Sequence, residues 1–158
     1  MILAADSSAL ITLSLCNALQ FLDVLCGEVK VPQAVFDEVT KKSKKESIEL
    51  AEYLHDKIEP VGMDDYVITD FSIFRGEYEA MALYKKLGAD RLLVDDKRAR
   101  KLAKLNGINT IGSLGILLLA KEKGLIERIK PYIKIIKESD IHIKKEVIDY
   151  VLDLAGER

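Results

Sequence analysis

Apolar residues fall into short continuous runs that alternate with helical stripes along the chain. Runs of strand length occur at 2–5, 28–31, 91–94 and 109–111. The segment after each run repeats its apolar positions at helical spacing. Strands that alternate with helices in this way form a parallel sheet. The pattern predicts an α/β fold.

The same spacing predicts where the helices lie. One helical region follows the first strand, is interrupted near Asn17 and stops by Gly27. Further helices are predicted over 32–40, 48–54, 76–88, 96–106 and 114–123, and two more within 126–158, divided near Asp140. A short strand is also predicted from Ile58 to Val61, and residues 64–75 are predicted to be loop with a possible turn of helix.

Two of the predicted strands end in acidic residues. The first ends in Asp6, and the strand before the basic helix ends in Asp95 and Asp96. The carboxyl ends of parallel strands share one edge of the sheet, where helix amino termini also point and ligands bind. We therefore expect these carboxylates at one edge, although a strand-terminal Asp is often only a helix cap.

Two helices carry an acid close to their apolar stripe. At 100° per residue, Glu38 falls on the stripe of its helix, whereas Asp37 falls well off it. In the helix from Gly76, Glu77 lies near the stripe axis and Glu79 lies further round. Because a buried acid is unfavourable unless something binds it, we expect Glu38 and Glu77 to point inward for a functional reason. As single residues, they are equally explained as exposed helix-end acids.

Composition narrows the chemistry to carboxylates. The 158 residues, 49% of them hydrophobic, are enough for one domain with a full core, in which residues 126–158 form a helical extension. The net charge of −2 gives no global attraction to polyanions or membranes. With neither a membrane-length apolar run nor a signal peptide, we expect a cytoplasmic protein. Two cysteines, interpreted as reduced core thiols, and two separated histidines offer no zinc spacing.

Several carboxylates in one pocket repel each other unless a divalent cation binds them. Hard oxygen ligands with positions left for water and phosphate suit Mg²⁺ or Mn²⁺. Such a cation polarises a phosphodiester and lowers the pKa of water, as metal-assisted hydrolysis requires. Ser7 and Ser113, at predicted helix starts, are candidates to hold a carboxylate, a water or a phosphate oxygen, with Ser113 as the helix cap.

Basic residues directly follow the proposed metal ligands. Lys97, Arg98 and Arg100, with Lys101 and Lys104, come after the acidic pair, and the run that begins at Lys41 comes after Glu38. A charge run is usually a solvated helix face. Beside a metal site it is also where a phosphate backbone is held, so we predict that these residues bind the phosphates of a substrate.

The chain resembles the PIN-domain ribonucleases, in particular a toxin-like subfamily from prokaryotic toxin-antitoxin systems. The resemblance extends over nearly the whole chain. Its motifs are DSSAL from Asp6, VPQAVFDEV around Glu38, GEYEAMAL from Gly76, LGADRLLVDD from Leu87 and TIGSLGILLLAKEKGLI from Thr110. It implies a parallel α/β/α sandwich, endonucleolytic cleavage of RNA, and Mg²⁺ or Mn²⁺ as cofactor. By the resemblance, the phosphates expected at Lys97, Arg98, Arg100 and Lys41 are those of RNA.

By the resemblance, the acidic positions fall on specific residues of this chain. The first is Asp6 and the second is Glu38. The third is Glu77 or Glu79, and the fourth is Asp95 or Asp96, depending on how the strand and Gly88 are aligned. We thus assign Asp6, Glu38, Glu77 and Asp95 as candidate catalytic residues, and Asp6, Asp95, Asp96 and Glu79 as candidate metal ligands.

The resemblance also implies partners and leaves two other functions open. An antitoxin protein and a homodimer are expected; the aliphatic helix 114–119 and the helices near Phe21 are candidate dimer surfaces, though both stretches are equally explained as internal. A PIN-like module that binds RNA or protein without cutting is the first alternative. A phosphotransfer or receiver-like domain is the second, disfavoured because Glu38 and Glu77 have no role in it and no phosphate-binding glycine loop is present.

Overall fold

A computed structural model describes residues 1–41, 44–62 and 75–158. Within these residues, four strands form one sheet: β1 (Ile2–Ala5), β2 (Glu28–Lys30), β3 (Arg91–Leu93) and β4 (Thr110–Ile111). Their order is β2-β1-β3-β4 and every pairing is parallel. The predicted α/β class is confirmed.

The helices of the described residues follow the predicted order. They are α1 (Ser7–Leu15), α2 (Gln20–Leu25), α3 (Gln33–Thr40), α4 (Lys45–Leu54), α5 (Arg75–Leu87), α6 (Lys97–Leu105), α7 (Ser113–Glu122), α8 (Lys130–Lys137) and α9 (Lys145–Ala155). Asn17, at φ 59°, lies in the predicted break between α1 and α2. None of these helices is long and apolar enough to cross a membrane.

The helices enclose the sheet in a three-layer α/β/α sandwich. Helix α5 packs against β1 and β3, and α6 packs against β4, while α7 packs against both α1 and α2. The middle of β1, from Leu3 to Ala5, is fully buried. Because strands covered on both faces need no polar side, they appear in the sequence as continuous apolar runs.

The register of β1 and β3 aligns their carboxyl ends, since Ala5 pairs with Leu93. The backbone N–H of Asp6 donates to the carbonyl of Leu93 at 2.8 Å, which extends the ladder one residue beyond β1. The acids that follow β1 and β3 therefore meet at one edge of the sheet, as the sequence predicts.

Some local predictions are wrong or fall outside the described residues. The predicted strand from Ile58 is reduced to one bridge, between Val31 and Ile58. Most of the predicted loop 64–75, and residues 42–43 of the basic run, lie outside the described part of the chain. Helix α7 is capped at Gly112, so Ser113 is its first residue and not its cap.

The two stretches expected to form a dimer surface are largely used inside the monomer. Leu114, Ile116 and Leu117 of α7 are buried in the core. Phe21 is also buried and contacts Tyr132 of α8 edge-on, with 5.9 Å between ring centroids. The excess of aliphatic residues is thus explained by packing of α2 and α7 against each other, of α2 against α8, and of α7 against α9.

Both cysteines are free and buried. Burial raises the pKa of Cys16 to about 11 and also raises the pKa of Cys26 above its ordinary value. Because the thiolate is the reactive form, neither side chain is a nucleophile at neutral pH.

The end of the chain is fastened to the start of α8. The buried carboxylate of Glu157 accepts hydrogen bonds from the backbone N–H groups of Ile129 and Lys130, with Oε2 2.8 Å from the nitrogen of Ile129. Lys121 at the end of α7 donates to the same carboxylate at 2.9 Å. One side chain thus joins α7, α8 and the residues after α9.

Candidate functional site

Asp6 lies at the centre of the acidic edge and is not used as a helix cap. Its residue is only 3% exposed, and it occupies the cap position of α1 without making a side-chain capping bond. Its Oδ1 atom is buried and has no hydrogen-bond partner among the described residues. A buried carboxylate oxygen without a partner is unfavourable, which indicates a ligand position.

The negative charges of three further carboxylates raise the pKa of Asp6. Burial is the main reason that its pKa rises from 3.8 to about 7; the negative charges of Glu77, Glu38 and Asp96 raise it further, against the opposing effect of the Ser7 backbone N–H. The four acids thus share one electrostatic environment, although they come from the end of β1, from α3, from α5 and from the turn before α6. Perturbed carboxylates of this kind cluster at functional sites.

Glu38 reaches this environment from a more exposed position than predicted. The structure leaves its residue exposed, so the expectation of a buried acid is wrong. Its Oε2 atom lies 3.0 Å from where a Cβ atom on Gly76 would be. Helix α3 buries only Val35 and Val39 on this side, and position 38 lies at the border of so narrow a face. Glycine at 76 leaves room for the Glu38 carboxylate beside the first turn of α5.

The burial of Glu77 and Glu79 is the reverse of the prediction. Glu79 is 5% exposed and accepts a hydrogen bond at 3.3 Å from the backbone N–H of Ala34, in the first turn of α3. Glu77 is half-buried and is the acid whose charge acts on Asp6. Helix α5 packs against β1, β3 and α3 at once, so its buried face is wider than the predicted stripe and includes Glu79.

Asp95 is bonded through both of its oxygens to Ser113. The backbone N–H of Ser113 donates to Oδ1 and its hydroxyl donates to Oδ2, each at 2.7 Å. Gly112 fits against this pair, since a Cβ there would lie 3.0 Å from Oδ1. The carboxylate of Asp95 thus joins the end of β3 to the start of α7.

Of Asp95 and Asp96, it is Asp96 whose negative charge raises the pKa of Asp6. One of its oxygens, Oδ2, accepts from the backbone N–H of Ala99 at 2.8 Å and so caps α6. The backbone N–H groups of Asp95 and Asp96 both donate to the hydroxyl oxygen of Ser8, at 3.0 and 3.3 Å. Ser8 was not among the predicted site residues. The sequence feature that points to Ser8 is its position in the first helical turn after Asp6. The serine predicted from the sequence to support the site is instead the neighbouring Ser7.

The donor set fits a hard divalent cation. Within residues 1–41, 44–62 and 75–158, no three acidic, histidine or cysteine side chains already stand close enough together to hold a metal ion. A cation at the unpartnered Oδ1 of Asp6 would satisfy a buried oxygen and offset the repulsion from three neighbouring carboxylates. Oxygen donors alone favour Mg²⁺ or Mn²⁺ over softer metals.

The predicted RNA-binding residues lie on two different elements. Lys97, Arg98 and Arg100 are exposed on α6, which begins directly after Asp96. Arg100 reaches back to the acidic edge, with Nη1 3.8 Å from the Cβ position of Gly112. Lys41 is exposed at the end of α3, one turn beyond Glu38.

Comparison with known proteins identifies the family. A family model described as a PIN domain matches residues 2–157, which is almost the entire chain. A search of curated proteins finds no significant match. PIN domains are generally nucleases, and PIN nucleases generally use divalent metal ions. The predicted membership of the PIN-domain family is confirmed, and the chain belongs to that family.

Proposed function

We propose that this PIN domain is a Mg²⁺- or Mn²⁺-dependent endoribonuclease. The observation that supports the proposal best is the buried, unpartnered Oδ1 of Asp6 in the field of Glu38, Glu77 and Asp96. A carboxylate in this environment is expected to bind a cation strongly, since the cation removes both the repulsion and the unsatisfied oxygen.

The acids at this edge take different roles in the proposal. Asp6, Glu77 and Asp96 would hold the cation, and Glu38 would approach from the more exposed side. When bound, the cation supplies Lewis-acid activation of the phosphodiester and of water. We assign Asp95 and Glu79 as positioning residues, because Asp95 is bonded to Ser113 and Glu79 to the start of α3.

RNA as the substrate, a toxin role and an antitoxin partner rest on the resemblance to the toxin-like subfamily. The exposed cations beside the acidic edge support a polyanionic substrate, since the net charge of −2 gives no general attraction to one. Dimerisation stays a prediction, and the residues expected to mediate it are mostly buried in the monomer.

Cleavage of a mixed RNA pool with Mn²⁺ or Mg²⁺ tests the proposal. Wild-type protein is compared with Asp6→Asn, with an EDTA control and a parallel single-stranded DNA pool. Asp37→Asn is a matched control, because Asp37 is an exposed acid on α3 whose side chain accepts a bond from Gln33. We expect metal-dependent cutting of RNA that Asp6→Asn abolishes and Asp37→Asn retains. Equal activity of wild type and Asp6→Asn would refute the site.

A PIN-fold binding module is the second candidate. It is favoured by the separation of the carboxylates, since no three metal-binding side chains of the described residues converge. Under this alternative, the wild type binds Mn²⁺ and RNA but cuts nothing. A preference for DNA in the parallel pool would instead retain the nuclease and reject its assigned substrate.

A further inference from the structure

Helix α9 carries apolar residues on two separate faces. Ile148 and Val151 are buried in the core. A second line consists of Val147, Tyr150 and Leu154, which are 43%, 63% and 59% exposed. At positions i, i+3 and i+7, these three residues follow one side of the helix for about 10 Å. We call them the α9 stripe.

The α9 stripe differs from the other exposed apolar residues of this protein. Exposed apolar side chains that occur singly are normal on a protein surface. Among the described residues, each other helix has at most one large exposed apolar side chain, such as Val24 on α2 or Ile48 on α4. Helix α9 already buries Ile148 and Val151 and packs against α7. A second apolar line is not needed for that packing and indicates a surface that a partner covers.

Acidic residues border the α9 stripe. At 100° per residue, Glu146 and Asp153 lie next to the stripe on one side, and the buried Val151 lies next to it on the other. Asp153 and the more distant Asp149 share one cation, Arg158. Glu146 belongs to no ion pair within the described part of the chain. The exposed border of the stripe therefore has an excess of negative charge.

A straight line of three apolar residues over two helical turns fits the apolar seam of a second helix. Helices bind such surfaces through apolar residues at i, i+3 or i+4, and i+7. The acids beside the stripe are complementary to cations beside that seam. A membrane is a poor match, because helices that lie on anionic membranes carry Lys and Arg beside their apolar face, whereas α9 carries acids there.

A second copy of this chain is also a poor match for the α9 stripe. The stripe is nearly symmetric about Tyr150, so two α9 helices could pair through it in an antiparallel arrangement with two-fold symmetry. That pairing would set Glu146 and Asp153 against the same two acids of the second copy, and like charges that face each other oppose association. Complementary charge is instead expected from a different polypeptide.

We propose that the α9 stripe binds an amphipathic helix of a partner protein, one with lysine or arginine beside its apolar seam. Binding here is independent of the acidic edge of the sheet, because none of the acids at that edge belongs to α9. Partner binding and RNA cleavage can therefore be measured separately.

The experiment is fluorescence anisotropy of a labelled designed helix of about 21 residues, titrated with the full chain. The helix has leucine at heptad positions a and d and lysine at e and g, and a second helix has glutamate at e and g. Like charges at e and g keep each designed helix from pairing with itself. We expect the glutamate helix to bind at least about 10-fold more weakly than the lysine helix at about 0.1 M salt, and the difference to shrink as salt is raised.

Substitutions in the α9 stripe should remove this binding. Tyr150→Ser/Leu154→Ser is expected to weaken binding of the lysine helix on the order of 100-fold, because it removes two of three apolar anchors. The matched control, Val24→Ser/Ile48→Ser, removes two similarly exposed apolar side chains from α2 and α4 and should retain the affinity within about 2-fold. Circular dichroism checks that both variants are folded.

Substitution of the acids tests the charge of the partner. Glu146→Gln/Asp153→Asn should weaken binding of the lysine helix about 5-fold and reduce its dependence on salt, because two exposed ion pairs are lost. Binding of the glutamate helix should become tighter, since the like charges that oppose it are removed.

Several results would overturn the proposal: no binding of the lysine helix, equal binding of the two designed helices, or equal losses in the two serine variants. A dimer in analytical ultracentrifugation that Tyr150→Ser/Leu154→Ser dissociates would assign the stripe to a second copy instead. Binding to phospholipid vesicles that the same variant abolishes would assign it to a membrane. RNA cleavage with Mn²⁺ should be equal in wild type and Tyr150→Ser/Leu154→Ser, so a failure of the proposed nuclease leaves the result at α9 unchanged.

Discussion

Asp6→Asn is expected to stabilise the metal-free protein, and to do so only above the pH at which Asp6 ionises in the unfolded chain. Burial and the neighbouring carboxylates raise the pKa of Asp6 from 3.8 to about 7, so the folded state binds a proton more tightly than the unfolded state does. Its contribution to stability is therefore greatest at low pH and is lost as pH rises towards 7. Asparagine cannot ionise and should not show this loss.

The magnitude follows from the two pKa values. The raised pKa of Asp6 costs about 4 kcal/mol of stability above pH 7, where the folded protein carries the buried charge. At pH 5 the cost is about 1.5 kcal/mol, because the folded protein keeps Asp6 protonated whereas the unfolded chain would ionise it. The stability gained by Asp6→Asn should accordingly grow by about 2.5 kcal/mol between pH 5 and pH 8. Any penalty for burying the amide is the same at both pH values and cancels in this difference.

Urea unfolding in EDTA at pH 5 and pH 8 measures the effect, with Asp37→Asn as the control for removing one negative charge. The control should show no comparable change with pH. Adding Mn²⁺ at pH 8 should stabilise the wild type and leave Asp6→Asn unchanged. If Asp6→Asn stabilised the protein equally at both pH values, the pKa of Asp6 would not be raised by burial, and the reasoning would be refuted.

Two further substitutions test the supports of the site and of the fold. Ser8→Ala removes the acceptor for the N–H groups of Asp95 and Asp96; unfolding should show a loss of about 1–3 kcal/mol, and Mn²⁺ titration a weaker affinity that Ser8→Thr restores. Glu157→Ala should cost about 1–3 kcal/mol at pH 7, because it removes the ion pair with Lys121 and leaves the backbone N–H groups of Ile129 and Lys130 without their acceptor. Burial raises the pKa of Glu157, but the bonds it accepts outweigh this and hold it below 4.5. The difference from wild type should thus shrink as pH falls below 4.5, and a constant difference would contradict the assignment.

The sheet and its acidic edge could be predicted because they depend on local patterns. Strands buried on both faces leave continuous apolar runs, as at Leu3 and Leu92. Parallel pairing then fixes which ends meet, so Asp6 and Asp96 had to share an edge. These inferences needed only the order of the elements.

The roles of individual acids could not be predicted, because they depend on contacts between distant elements. Helical periodicity predicts the direction of a buried face but not its width. Glu79 is buried because the face that α5 packs against β1, β3 and α3 is wider than the predicted stripe. The bond from Ala34 that satisfies Glu79 spans 45 residues of sequence. Similarly, Ser113 bonds to Asp95 and not to Asp96 because α7 places Ser113 beside Asp95, and the sequence alone does not give the position of α7.

Because both native thiols are buried, they should not react in a cysteine-labelling experiment on the folded protein. Cys16 and Cys26 are the only cysteines in the chain, and with raised pKa values both should resist alkylation while the fold is intact. One cysteine introduced at the exposed Lys104 is thus expected to react alone, without removing the native residues. A fluorescent probe attached there would report on binding of ligands beside α6, and the native thiols would become reactive only on unfolding.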